Sequence, residues 1–274
     1  MSLFSEAMDV LEETSRTFFI PISRLPSDLI EAVGSAYLCL RAIDEIEDHP
    51  NLLNEEKAEI LHNISCVLQT MGDGSLVGEF QPVFRPYQSR LPEVSLRVDD
   101  WVLFAPDSIR PRVSDATAAM ADRMAYWAQR DWRIQTEADL NGYTFSVAGA
   151  VGLLLSDLWA WYDGTPTNRE YAIGFGRGLQ SVNIIRNRED DLARGVDFFP
   201  DSWSLTQMFA FSRNNLALAG AYLADLPAGP ALDFCQIPYD LAVATLDVME
   251  HGAQKLTRQQ VLEITRSIPQ PVGR

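Results

Sequence analysis

The chain is poor in cysteine, histidine and positive charge. Its three cysteines, Cys39, Cys66 and Cys235, are odd in number and widely spaced along 274 residues. That pattern excludes a disulfide framework and offers no zinc-ligand spacing. Cys39 and Cys235 sit among apolar residues and read as reduced core thiols. The three histidines, His49, His62 and His251, stand in no triad context, and His49 simply follows a helix end. Lysine and arginine total 22 against 38 acidic residues, a net charge of −16 with an isoelectric point near 4.5. Such a surface repels nucleic-acid phosphates and anionic lipid, so no nucleic-acid partner is expected. It also repels a diphosphate unless metal ions or local arginines reverse the field.

Targeting signals are missing too. The start, MSLFSEAMDVLEE, lacks a basic region followed by an apolar one and is not read as a signal peptide. The apolar run 142–156 is 15 residues long, contains three glycines and is short for a bilayer span. These features predict a cytoplasmic enzyme without an integral membrane anchor. They carry no information on oligomeric state. There is no internal repeat and no low-complexity block.

What is present is apolar residue content of 47 %, enough for a large core, and helical periodicity along most of the chain. Helices are expected from Ser27 or Asp28 to Asp48, 54–71, 114–133, 139–162, 167–194, 205–223 and 239–257. Short helices and loops are expected over the proline-rich stretch 72–112. A glycine-rich stop, MGDGSLVG, and breaks at Asp163–Pro166 and at LPAGPA separate them. No strand pair stands out. The fold class is all-α, with residues 1–274 as one domain.

Two polar clusters interrupt this apolar pattern. The first, Arg41-Ala-Ile-Asp44-Glu45-Ile46-Glu47-Asp48, closes a long helix. If Ile30, Val33 and Tyr37 form its buried stripe, Asp44 falls within about 40° of all three at 100° per residue, and Asp48 lies one turn further. Carboxylates at i and i+4 can share a divalent cation, and Mg²⁺ suits oxygen ligands that leave places for water and phosphate. The alternative is a solvated helix end with pairs to Arg41 or Lys57.

The second cluster is a stripe of small and polar residues: Gly176, Leu179 or Gln180, Asn183, Asn187, Asp190 or Asp191, and Arg194. It either lines a polar cavity or forms an exposed face with Arg–Asp pairs. Two helices that each carry oxygen ligands can hold metal ions over a diphosphate, so that an allylic C–O bond breaks. An apolar wall must then keep water from the cation. Phe145, Val147, Val151 and Leu154 offer one, with Gly149 and Gly152 allowing close approach. The same residues also suit an ordinary core helix.

At this point the chain resembles the squalene/phytoene synthases, from about Ser15 to Arg258. The resemblance rests on Ser15-Arg16-Thr17-Phe18, on Leu40-Arg41 through Asp48, and on Tyr143 followed by Val147-Ala148-Gly149-Ala150-Val151-Gly152. It continues with Asn183-Ile184-Ile185-Arg186 before the second acidic motif, Phe198-Phe199-Pro200 and Trp203 after it, and Phe234 through Pro238, Ala242 through Leu246, and Lys255 near the end. It implies the class I isoprenoid synthase fold, a helical bundle around a central apolar cavity. It implies Mg²⁺ at Asp44, Asp48 and a second set formed by Asn187, Asp190 and Asp191. It implies diphosphate contacts from Arg16, Arg41, Arg186 and Lys255, with Tyr143 near the reacting carbons. Phe18, Tyr37, Val147, Val151, Gln180 and Asn183 are the cavity candidates.

One departure shapes the expected reaction. The family's second motif usually reads D-x-x-E-D, whereas here it is Asn187-Arg188-Glu189-Asp190-Asp191. An asparagine oxygen binds Mg²⁺ with less charge. Arg188 stands where the family usually has tyrosine. Binding two diphosphates demands much cationic compensation, so weakening one metal motif is easier to tolerate with a single diphosphate. The expectation is a prenyltransferase that ionises one prenyl diphosphate and passes the prenyl group to a second small molecule. That acceptor would be an aromatic one in secondary metabolism, as in a minority of squalene-synthase-like relatives. Trp127, Trp132, Trp159, Trp161, Tyr162 and Trp203 could supply a stacking surface. The alternatives are head-to-head condensation of two prenyl diphosphates and simple hydrolysis. A non-catalytic scaffold would be expected to have lost the first aspartates or their arginines, which are intact.

Overall fold

A computed structural model describes residues 2–70 and 78–267, apart from the side chains of residues 16, 266 and 267. Among the described residues there are helices and no strands. The glycine-rich stop expected after the helix from Asn54 falls largely outside the described residues. The chain divides into two compact units. One takes the described residues up to Ile22 and Pro26–Asp131, and the other takes Ser23–Leu25 and the described residues from Trp132 onward.

The first unit is arranged around one long helix. Its elements are α1 (Leu3–Thr14), α2 (Arg16–Ile22), α3 (Ser27–Glu47), α4 (Asn54–Thr70), α5 (Gln81–Phe84), α6 (Glu93–Leu96), α7 (Val98–Phe104) and α8 (Arg110–Ala128). Every other element except α5 packs on α3. The face that α3 buries is Leu29, Ala32, Val33, Ala36, Cys39, Ile43 and Ile46, a 3.6-residue stripe. Ser35 Oγ donates to the Trp101 carbonyl at 2.6 Å, and Ser95 Oγ donates to the Ala42 carbonyl at 2.7 Å. These bonds fix α6 and α7 along α3 and leave no buried hydroxyl there unpaired. Gly34 lets α1 and α7 close in, since a methyl there would sit 3.0 Å from the Phe104 ring.

Two start signals were misjudged from sequence. The N-cap of α3 is Pro26, without a side-chain cap, rather than Ser27 or Asp28. α8 begins at Arg110 because Pro111 fits the first turn, where its missing N–H costs nothing. The helices α1 and α2 were not foreseen. Ser2 caps α1, which buries Ala7 and Leu11, while Pro21 inside α2 hides its helical character.

The second unit contains α9 (Glu137–Thr144), a π-helical turn (Phe145–Gly149), α10 (Ala150–Asp163), α11 (Arg169–Ala193), α12 (Leu205–Asp225), α13 (Pro230–Glu250) and α14 (Arg258–Ser267). Here α11 is central and packs on α9, the π-turn, α10, α12 and α13. Close approach depends on glycine, because a methyl on Gly152 would collide with the Ala172 carbonyl and one on Gly176 with the Ala148 carbonyl. Val182, Leu216, Ala242 and Leu246 form a shared core of α11, α12 and α13.

The expected helix 139–162 is therefore two helices joined by the π-turn. It starts earlier, at a capping box in which Thr136 Oγ1 accepts from the Asp139 N–H at 3.1 Å and the Asp139 carboxylate accepts from the Thr136 N–H at 2.9 Å. The whole run, Glu137–Asp163, is 27 residues and passes a membrane-span test by length and composition, although half of its most apolar window is buried. α13 starts at Pro230, well before Tyr239. Proline is again in the first turn, and Ala231, Phe234 and Cys235 extend its buried face.

Candidate active site

The first acidic motif occupies the last turns of α3. Arg41 Nη1 donates to Asp44 Oδ2 at 2.8 Å, and its other terminal nitrogen pairs with Glu45. Burial pushes the Asp44 carboxyl up to about 7, and the Asp48 charge adds to this while Arg41 opposes it. Burial dominates even though 37 % of the Asp44 side chain is accessible, so its open edge faces out of a densely packed setting. Asp48 is the exposed C-cap, whose N–H donates to the Asp44 carbonyl.

This corrects the expected stripe. Ile30 and Tyr37 are only half-buried, Asp44 likewise, and Asp48 is exposed. The aspartates continue the flank of α3, and the acidic side chain on the buried side is Glu47, 4 % exposed. The Arg41 pairs are those of the alternative reading. They still leave Asp44 and Asp48 as like charges one turn apart.

Neighbouring side chains frame this end. Ser15 Oγ accepts from the Phe18 N–H at 3.1 Å, capping α2 at the Ser15-Arg16-Thr17-Phe18 element. The Phe18 ring lies 5.7 Å from the Tyr37 ring. Burial raises the Tyr37 phenol, with the Ser15 hydroxyl and Arg41 acting against it. Arg16 opens α2, and its side chain lies outside the described residues.

The second motif lies on α11, in the other unit. Arg186 Nε donates to Asn187 Oδ1 at 3.1 Å, and desolvation lowers the Arg186 pKa. Asp191 is buried and receives Arg194 Nη2 at 2.5 Å, whereas Asp190 is exposed. Arg188 turns away to Asp197, with bonds of 3.2 and 2.8 Å, and lies 3.7 Å over the Phe199 ring. Desolvation works against it, but Arg188 and the Phe199 N–H hold the Asp197 carboxyl below its ordinary value. Gln180 and Asn183 are half-buried on the same helix.

Beside α11, Tyr143 is buried and stacked on Phe198 at 4.6 Å, so the Phe198-Phe199-Pro200 connector holds the tyrosine ring. The π-turn carries Val147, and α10 carries Val151, both half-buried. Lys255 is exposed in the turn after α13.

The expected aromatic platform is largely core. Trp127, Trp132 and Trp159 are buried, while Trp203 packs edge-on to Phe211 at 6.0 Å. Trp161 and Tyr162 remain partly accessible. Reading the sequence missed Arg177, one turn before Gln180. Its Nη2 donates to the Asn141 carbonyl at 3.0 Å, bracing the segment before the π-turn, and its Nε is buried without a partner. Desolvation lowers its pKa. Its position on the polar stripe was the available signal.

Asp44 and Asp48 fit Mg²⁺ by donor type. Both are hard oxygen donors, and Asp44 is ionised only against the cost of burial and a like charge, which a cation would relieve. Among the described residues no three His, Cys, Asp or Glu side chains converge on one point.

Comparison with known proteins adds the following. The model of the squalene/phytoene synthase family matches residues 11–217. Squalene synthase of Schizosaccharomyces pombe is 29 % identical over 86 % of this chain and 57 % of its own length. Human squalene synthase is 27 % identical over 89 % of this chain and 63 % of its own length. The chain therefore spans about three-fifths of these curated relatives. A ligand complex of TcSQS superposes with a TM-score of 0.77 at 24 % identity, covering 96 % of this chain and 85 % of that one. A dehydrosqualene synthase in complex with ligand gives 0.66 at 14 %, covering 97 % and 95 %. These likenesses give the chain the all-α isoprenoid synthase fold.

Proposed function

Because the chain belongs to the squalene/phytoene synthase family, we propose that it is a Mg²⁺-dependent transferase that ionises an allylic prenyl diphosphate and joins two such substrates head to head. The observation that carries the ionisation step is the Arg41–Asp44 pair beside Asp48, two oxygen donors with a guanidinium holding one of them in place. Similarity to squalene synthases supports the head-to-head outcome over transfer to a separate acceptor.

Mg²⁺ held by Asp44 and Asp48, and by Asp190 and Asp191 with Asn187, would neutralise the leaving diphosphate. Arg41 orients Asp44. Arg186 keeps donors beyond the one given to Asn187 and can place them on phosphate oxygens. Arg16 and Lys255 are assigned the same role from the family motifs. Val147 and Val151 supply apolar surface against water, and Phe198 fixes the Tyr143 ring, whose role near the reacting carbons is assigned from the family motif. In this reading residues 1–274 act as one catalytic domain. The free cysteines are the feature that supports a cytoplasmic location in this reading, which fractionation tests.

A second reading, one diphosphate and a separate acceptor, is favoured by a specific observation. Asn187 replaces a charged metal ligand, and its oxygen is already engaged by Arg186. The experiment is Mg²⁺-dependent pyrophosphate release from dimethylallyl, geranyl and farnesyl diphosphates, followed by product mass spectrometry with and without NADPH and an aromatic acceptor. A two-prenyl product without acceptor supports the first reading. Release that requires the acceptor establishes the second, and no release with any donor removes both.

A further inference from the structure

We propose that Cys66 is a thiol-exchange site, activated by His62 and Asp122, that reacts with low-molecular-weight disulfides. The array lies in the first unit on the outward side of α4 and α8 and is independent of the proposed prenyl chemistry. His62 and Cys66 stand one turn apart on α4, with His62 Nε2 3.5 Å from Cys66 Sγ. The other ring nitrogen, Nδ1, lies 2.9 Å from Asp122 Oδ1 on α8.

The protonation pattern follows from donor types. A carboxylate only accepts, so Nδ1 carries the hydrogen, and Nε2 is left with a lone pair toward the thiol. Asp122 is itself held, since its second oxygen accepts from Gln69 Nε2 at 3.4 Å and Gln69 also donates to Ser65 Oγ at 2.8 Å. The imidazole is thus oriented from the carboxylate side to accept the sulfur's proton, the relation by which a cysteine becomes a nucleophile. Reading the sequence found no triad here because Asp122 is 60 residues away from His62.

The setting selects the reaction. The His62 side chain is 62 % accessible and Cys66 is exposed, so a reactant meets the sulfur on an open helix face. Disulfide exchange needs no oxyanion cradle, only a thiolate and a nearby proton carrier. His62 takes the Cys66 proton, and the sulfur attacks one sulfur of the reagent as the reagent's S–S bond breaks. The departing thiolate takes the proton back from His62. Cys66 ends as a mixed disulfide, and one equivalent of free thiol is released. The other two cysteines do not compete, because both are fully buried; burial pushes the Cys39 thiol up to about 12 and raises that of Cys235 further.

The test uses the whole chain with oxidised glutathione at neutral pH, followed by intact mass and peptide mapping. The expected result is a single adduct, at Cys66, formed about tenfold faster than with an unassisted exposed cysteine. H62A should lose that advantage, D122N should lose part of it, and C66S should give no adduct. Circular dichroism confirms that each variant is folded. H62A and D122N both reacting at the wild-type rate, or an adduct that appears only in denaturant, would overturn the proposal.

Discussion

The ends of α3 and α11 carry oxygen-bearing side chains at the same i,i+4 spacing, Asp44 and Asp48 on one and Asn187 and Asp191 on the other, yet their charges are handled differently. On α3, Arg41 faces Asp44 and Glu45 together, and Asp44 is left with a carboxyl raised to about 7. At the end of α11 the pairs are one to one, Arg194 with Asp191 and Arg188 with Asp197 in the following connector, while Arg186 bonds the neutral Asn187. A shared spacing therefore does not mean a shared demand for cations. At the α3 end two acidic side chains share one arginine, whereas Asp191 and Asp197 each have an arginine of their own and Asp190 is left exposed to take a cation.

Four experiments break or sharpen this contrast. Asp44→Ala should have the largest effect, lowering pyrophosphate release by about a thousandfold or more, because stabilising the leaving charge is the main catalytic contribution. Steady-state kinetics at saturating Mg²⁺ check it, and near-normal turnover would remove Asp44 from the site. Asn187→Asp should come next, making the α11 end more like the α3 end. It should lower the Mg²⁺ concentration for half-maximal activity by about tenfold, read from a metal titration. If the single-diphosphate reading holds, the same variant should also yield a two-prenyl product.

Arg188→Met tests the balanced side. It removes the partly exposed bonds to Asp197 and the stacking on the buried Phe199 ring, and should cost about 1 kcal/mol of stability. Thermal unfolding would show it as a modest fall in Tm, and an unchanged Tm would mean that the brace is idle.

The fourth experiment concerns pH and leaves the sequence unchanged. In metal-free protein the Asp44 carboxyl should titrate near 7, above the ordinary carboxylate value. Folding then favours its protonated form. Its contribution to stability is greatest at low pH, declines as pH rises from about 4, and levels off above about 7. Carbon-detected NMR of the carboxyl checks the value, and added Mg²⁺ should move the titration down.

Much of the helix pattern was legible because apolar periodicity is a local property. The α4, α11 and α12 helices lie within a few residues of their expected bounds. A first-turn proline at both α8 and α13 looks like a break until the buried face behind it is seen, and Pro21 interrupts the pattern inside α2. The acidic stripe of α3 was misplaced for a related reason. Ile30, Val33 and Tyr37 are apolar at the right spacing, but α6, α7 and α8 pack on the neighbouring face. Helical phase identifies a stripe, and only the partners decide which stripe is buried. The tryptophans show the same limit, as Trp127, Trp132 and Trp159 serve the core.

Residue order alone established the all-α class, the two acidic motifs and the family resemblance, because each depends on spacing within one or two helices. Tertiary structure decided which charges are neutralised, where the run from Glu137 carries its π-turn, and that His62 meets Asp122. Those outcomes depend on groups far apart in the chain. Ionisation and hydrogen bonding respond to distance in space, which no local pattern records.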